Sequence, residues 1–197
     1  MGRWRPDARE RLRQAALELF AEQGFAATTV PEITARAGLT TRTFFRHFAD
    51  KREVIFGGDE IPAMATRLIA DAPLGLEPAA VIVEGLKTVA ETRFEGRRAE
   101  VRLNRELIRS DPGLGERDLR KRADLAAAIR AGFIDRGVAP ATAALLAETT
   151  VTVLYVALDE WLDGDGDEDG GPGAGRTLFE IMLGTLESLR GALGPAR

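Results

Sequence analysis

The sequence predicts an all-α fold, and three observations carry that prediction. Apolar residues recur at i, i+3, i+4 and i+7 through almost every segment of the 197 residues. No segment sustains the strict alternation of a half-buried strand. Two helices of roughly eight residues, joined by Ala37-Gly38-Leu39-Thr40, spell a helix-turn-helix.

The elements follow in order. From about Asp7 to Gln23, Leu12, Ala15, Ala16, Leu19 and Phe20 form one apolar stripe, and Gly24 stops the helix. Thr29 with Glu32 three residues on, and Pro31 early in the turn, predicts a capping box. That helix ends at Ala37-Gly38, where glycine takes the positive φ of the turn. Thr40 or Thr41 opens the next helix, which runs to about Phe48. Ile33, Ala37, Phe44 and Phe48 face inward across the turn. Asp50 with Glu53 repeats the cap geometry for a fourth helix, interrupted by Gly57-Gly58 and Pro62. Residues 73–78 form a connector, and helices are expected over 79–94, 97–110, 116–136 and 140–162. Ser110-Asp111-Pro112-Gly113 is read as the end of one of them. Residues 163–175, rich in Gly, Asp and Pro, form a loop. The last helix, 176–193, is apolar on more than one face and needs partners on two sides.

Composition excludes several function classes. There is no cysteine and one histidine, His47, so disulfide frameworks, thiolate metal sites, cysteine nucleophiles and two-imidazole catalysis all lack their residues. Hydrophobic residues at 45% and charged residues at 29% describe a folded globular chain. The net charge of −4 argues against a polyanion partner, but its distribution reverses the argument. Residues 1–56 hold 10 Lys and Arg against 7 Asp and Glu, a balance of +3, while the remainder holds 17 against 24, a balance of −7. The basic part is the part that carries the helix-turn-helix.

The start, Met-Gly-Arg-Trp-Arg-Pro, has no apolar region of the kind a secretory signal needs, and the most apolar stretch, 139–158, is broken by Glu148 and threonines. A buried helix, no membrane partner and a cytoplasmic location are expected.

The run from Gly24 to Ala37 and the run Gly38-Leu39-Thr40-Thr41-Arg42-Thr43-Phe44-Phe45-Arg46-His47-Phe48-Ala49-Asp50-Lys51 closely resemble the DNA-binding head of the tetracycline-repressor (TetR) family of bacterial regulators. The resemblance covers about residues 9–56. Residues 97–162 are similar, more weakly, to ligand-domain helices of members grouped with the mycofactocin-type regulator. The resemblance implies a nine-helix homodimer. It has a helix-turn-helix DNA-binding domain over 1–56 (motif about 29–48) and a helical ligand-binding and dimerisation domain over 57–197. It further implies a ligand-responsive repressor of a palindromic double-stranded DNA operator, released by a small-molecule effector, with no enzymatic activity, metal or cofactor.

The head's residues support particular roles. Thr40, Thr41, Arg42 and Thr43 place hydroxyls and a guanidinium at a helix start, and Arg42 is the candidate reader of guanine. The resemblance adds Thr29, Phe45, Arg46, His47 and Lys51 as DNA contacts. Phe45 stands where many members have tyrosine, so it can pack on a thymine methyl but cannot donate to phosphate. Arg3 and Arg5 are a frayed terminus or a minor-groove arm.

The body's candidates rest on residue type. Met64, Leu68, Phe94, Phe133, Tyr155 and Trp161 are candidates to line an apolar cavity. Arg98, Arg102, Arg105 and Arg109 share one helical face, a solvated stripe by the ordinary reading or an anion site for the effector through Arg102. Leu154, Leu158, Leu178, Met182 and Leu186 are the candidate dimer interface. Asp165 to Gly170 resembles a calcium loop, but its twelfth position is Arg176 where a bidentate glutamate belongs, so calcium is excluded. A small helical enzyme, without catalytic residues to support it, and a ligand carrier with a vestigial head are the alternatives.

Overall fold

The computed structural model describes residues 7–57, 60–164, 175–192 and 194. Among them are nine helices of seven residues or more, one four-residue helical turn and one π turn, with no strand. In chain order these are α1 (Ala8–Gln23), α2 (Val30–Ala37), α3 (Thr41–His47), the turn α4 (Glu53–Phe56), α5 (Glu60–Asp71), α6 (Pro78–Val89), the π turn Ala90–Phe94, α7 (Arg98–Ser110), α8 (Pro112–Asp135), α9 (Pro140–Asp163) and α10 (Leu178–Ala192). The all-α prediction holds. Arg3, Arg5, Gly58, Leu193 and the stretch Asp165 to Gly170 lie outside the described residues.

The chain divides into two compact units. The first comprises residues up to Asp59 together with Glu100–Asp118; the second comprises Glu60–Ala99 and everything from Leu119 onward.

In the first unit α1 begins on an Asp7 cap, whose carboxylate accepts from the Glu10 N–H at 2.9 Å. Its stripe of Leu12, Ala15, Ala16, Leu19 and Phe20 packs with Ile33, Phe44, Phe48 and Val54 into one core, which Leu107 and Leu114 complete. Gly38 ends α2 in the left-handed region at φ 63°. There the Leu39 N–H donates back to Thr34 O at 2.8 Å and the Gly38 N–H to Ala35 O at 3.1 Å, the paired bonds of a Schellman ending. Arg11 reaches across from α1 to donate to Ala37 O, pinning the turn.

Ser110 to Gly113 is not a long interruption. A single residue, Asp111, separates α7 from α8, and its carboxylate accepts from the Leu114 N–H at 2.9 Å. Pro112 then occupies the first helical position, where its missing N–H costs nothing. Read as a terminator, Pro-Gly predicts a start near residue 116; the proline instead opens α8.

The solvated-stripe reading of the α7 arginines fails at Arg105, which is buried against Asp118 at 3.3 Å. Arg117 of α8 binds Asp50 at 3.3 Å and also Glu53, tying the start of α8 to the α3–α4 connection.

In the second unit α9 is the central helix, with ten buried residues and a long packing seam against α10. It is long and apolar enough to cross a membrane by length and composition alone. Packing against α6 and α10 buries 44% of that apolar stretch, while Leu145 and Val156 stay exposed, so the expected buried helix is buried on one side only. Helix α6 stops at Val89 and gives way to the π turn, where the Glu95 N–H closes onto Ala90 O at 2.9 Å. Arg136 donates to Ile69 O, Ala72 O and Pro73 O, filling the orphan carbonyls at the end of α5. Arg98 lies over the Trp161 ring at 4.9 Å and donates to Trp161 O. Thr177 and Glu180 form a capping box at the start of α10.

Candidate nucleic-acid interface

Helix α3 is short, and its register is set by two phenylalanines one turn apart. Phe44 is fully buried and Phe48 nearly so, with ring centroids 5.3 Å apart. Anchoring that face in the core turns the other side outward at about 100° per residue. Thr41, Arg42, Phe45 and Arg46 are exposed there, with Thr40 at the cap. The Thr40 hydroxyl accepts from the Thr43 N–H at 3.2 Å and pairs with the Thr43 hydroxyl at 2.9 Å, fixing the helix start. Phe45 is 55% exposed for a phenyl ring, its edge resting on Phe44 at 5.4 Å.

Thr29 caps α2 in the capping box the spacing predicts. Its backbone N–H and its hydroxyl both donate to the Glu32 carboxylate at 2.7 Å. Those bonds hold the Glu32 carboxyl below its ordinary value. His47 is half-buried at the end of α3, beside the Arg46 guanidinium at 3.4 Å.

Lys51 sits differently from the other candidates. Its ammonium donates to Phe25 O at 2.6 Å and Thr28 O at 2.7 Å, and lies 4.2 Å from the Phe25 ring centroid. Burial pushes its pKa down. Lys51 therefore clamps the α1–α2 loop, which positions Thr29.

The electrostatics of the head follow from which cations are already engaged. Arg36 forks onto Glu22 at 2.8 and 2.7 Å, lowering the Glu22 pKa and raising its own. Arg13 pairs with Glu10 and Glu100, Arg9 donates to Gly57 O, and Arg11 to Ala37 O. Arg42 makes no hydrogen bond or ion pair among the described residues and projects from the exposed face of α3 with Arg46. Helical period finds α3, but it does not show which arginines are committed elsewhere.

Residues 12–56 match the family described as "Bacterial regulatory proteins, tetR family". The head resembles that of the tetR family. It is 52% identical over 46 residues to the HTH-type transcriptional regulator TcmR of Streptomyces glaucescens, a match covering 23% of this chain and 20% of that protein. It is 40% identical over 62 residues to the HTH-type transcriptional repressor Rv3405c of Mycobacterium tuberculosis, covering 30% of this chain and 33% of that one. The chain thus aligns with a fifth to a third of those relatives' lengths. Over 96% of both chains it shares a fold with Thermus thermophilus FadR, a TetR-family transcriptional repressor solved in complex with lauroyl-CoA, at 23% identity and a TM-score of 0.54. The matched relatives are themselves described as transcriptional regulators.

The second unit contains an apolar cavity of about 50 Å³ between α5, α6, α8 and α9. Leu68 and Phe133, both candidates from sequence, line it. Met64, Phe94, Arg102 and Tyr155 do not. Phe94 ends the π turn, Arg102 belongs to the first unit, and Tyr155 stacks under Arg122 at 3.7 Å in a separate groove. Ala65, Gly85, Ile129 and Thr150, which the sequence did not single out, are part of the lining. Of the candidate dimer residues, Leu178 and Met182 are fully buried, Leu154 and Leu158 nearly so, and Leu186 half-buried. Leu154 faces the cavity.

Proposed function

We propose that the chain is a ligand-responsive transcriptional repressor of the cytoplasm, binding a palindromic DNA operator as a homodimer and released by a small-molecule effector. One observation carries the DNA half of this reading. The exposed face of α3 presents Arg42 and Arg46 beside Thr40, Thr41 and Phe45, while other arginines of the head are tied to carboxylates or carbonyls. A helix so presented fits a major groove. There Arg42 reads guanine O6 and N7, Phe45 packs on a thymine methyl, and the threonines and Thr29 meet phosphate. Lys51 and the Thr43 hydroxyl act through positioning, and His47 stands at the edge of the contact. We assign DNA binding to 1–56 and ligand binding and dimerisation to 57–197, apart from Glu100–Asp118, which pack with the first unit.

Two copies would place their recognition helices about 34–36 Å apart, or a multiple of that, on a symmetric site. Since Leu154, Leu158, Leu178 and Met182 are enclosed within their own unit, the contact between copies falls to apolar residues that α9 and α10 still present. These are Leu145, Val156 and Leu189, with Leu186 at their margin. The lauroyl-CoA held by FadR supports a small-molecule effector for the helical body.

The test is a gel shift at fixed salt on the operator. Arg42→Ala and Thr41→Ala leave the fold intact. Arg42→Ala weakens binding by about 1–3 kcal/mol, roughly 5- to 150-fold. Unchanged operator affinity in both variants refutes the assignment.

A further inference from the structure

We infer that the cavity of the second unit takes a neutral, largely apolar molecule of about one ring, and that Gly85 keeps the space open for it. This rests on the proposed effector response and names the class of effector. The lining holds no charged side chain, and among its residues Thr150 alone carries a polar side-chain group. The Thr150 hydroxyl spends its proton on Leu146 O at 2.6 Å, so toward the cavity it can only accept. The complementary ligand therefore needs no acceptor here, and any polar group that it places against Thr150 is an O–H or N–H donor. A carboxylate or an ammonium would be stripped of water here with no partner to repay the loss.

Gly85 explains how the cavity persists. It lies in the interior of α6, one turn from Val81 on one side and Val89 on the other, and all three line the cavity. Residues four apart share a helix face, so the missing side chain belongs to the cavity-facing side. A Cβ built at Gly85 meets no heavy atom within 4 Å. Glycine weakens a helix interior relative to alanine, and no turn or close approach requires it at this position. What its absence of side chain leaves is volume, facing Ala65 and Leu68 of α5 across the space. The present cavity, about 50 Å³, is smaller than the ~150 Å³ that holds a benzene ring in an engineered apolar core. A single ring enters by rotamer shifts of the leucine and isoleucine lining.

The experiment titrates the full chain with toluene, phenol and benzoate by calorimetry, alongside an operator gel shift. Toluene and phenol bind, and benzoate binds at least tenfold more weakly. Gly85→Leu retains helical circular dichroism and loses toluene binding by tenfold or more. Gly85→Ala raises the Tm and weakens toluene binding, and it decides the matter if the leucine variant does not fold. Thr150→Val weakens phenol and spares toluene. Benzoate binding as tightly as toluene, unchanged toluene binding in both Gly85 variants, or no probe binding to the parent chain overturns the inference. DNA binding without probe binding defeats this inference and leaves the regulator standing; probe binding without DNA binding does the reverse.

Discussion

Replacing Lys51 with methionine separates two roles that the same residue would otherwise share. The family resemblance puts this lysine on DNA, whereas the structure engages its ammonium with the carbonyls of Phe25 and Thr28. Methionine keeps the length and apolar stem and removes the charge and donors. Two hydrogen bonds at 2.6 and 2.7 Å from a charged donor are lost, each worth about 1.5 kcal/mol at the low end of the range, because Lys51 is only half-buried. A third contact, to Ala26 O at 3.5 Å, is too long to count. The cation over the Phe25 ring adds about 0.5–1 kcal/mol. The expected loss is about 3.5–4 kcal/mol, a large share of the roughly 5–15 kcal/mol that holds a typical fold. It corresponds to a Tm lower by about 7–16 °C for a chain of this size. Thermal unfolding by circular dichroism reads it directly. A Lys51→Met variant with unchanged Tm, whose operator affinity falls with a shallower salt dependence, would show that the lysine serves phosphate and that the clamp reasoning is wrong.

Three further outcomes follow from the same geometry. Arg105→Ala or Asp118→Ala alone breaks a buried ion pair and lowers stability by about 3–5 kcal/mol in urea unfolding, while replacing both with apolar residues costs much less than the sum. Additive losses would show that the pair does not interact. Thr29→Ala removes the α2 cap, costs about 1 kcal/mol of stability and also weakens operator binding, and an unchanged gel shift would leave Thr29 as a cap alone. Glu22, Glu32 and Glu180 all have carboxyls held below the ordinary 4.5. Their contribution is complete above that value and disappears as the pH falls through the lowered one. Stability therefore declines on the acid side, and Glu32→Gln, which can still cap, loses less between neutral pH and pH about 3 than the parent does. An equal acid loss in both would remove Glu32 from the account.

The head was readable because its signals are local. A capping box needs Thr29 and Glu32, a helix stop needs Gly38, and an inward face needs Phe44 and Phe48 one turn apart; each is written within a few residues. The same logic failed at Asp111-Pro112-Gly113, where proline marks a beginning as readily as an end, and only the short α7–α8 connection decides. The capping box Thr177–Glu180 is equally local, but the apolar pattern that follows it is the stronger signal. What sequence could not supply were the partners across the fold. Arg105 looks like one of four surface arginines until Asp118, thirteen residues away, is brought beside it. Lys51 looks like a free cation until the α1–α2 loop curls over it. Leu154 and Leu178 look like an unsatisfied apolar face until α9 and α10 close on each other. The cavity was beyond reach for a related reason: a glycine inside a helix reads as a weakness, and its use shows only when the empty side faces other helices.

The most direct test of the regulator reading is to select genomic DNA fragments on the purified full chain and sequence them. The account predicts enrichment of a palindrome whose half-sites lie one helical turn or a small multiple apart, with a guanine in each half-site that Arg42→Ala ceases to prefer. Recovery of fragments with no shared symmetric motif, or a motif unaffected by changing Arg42, would contradict it.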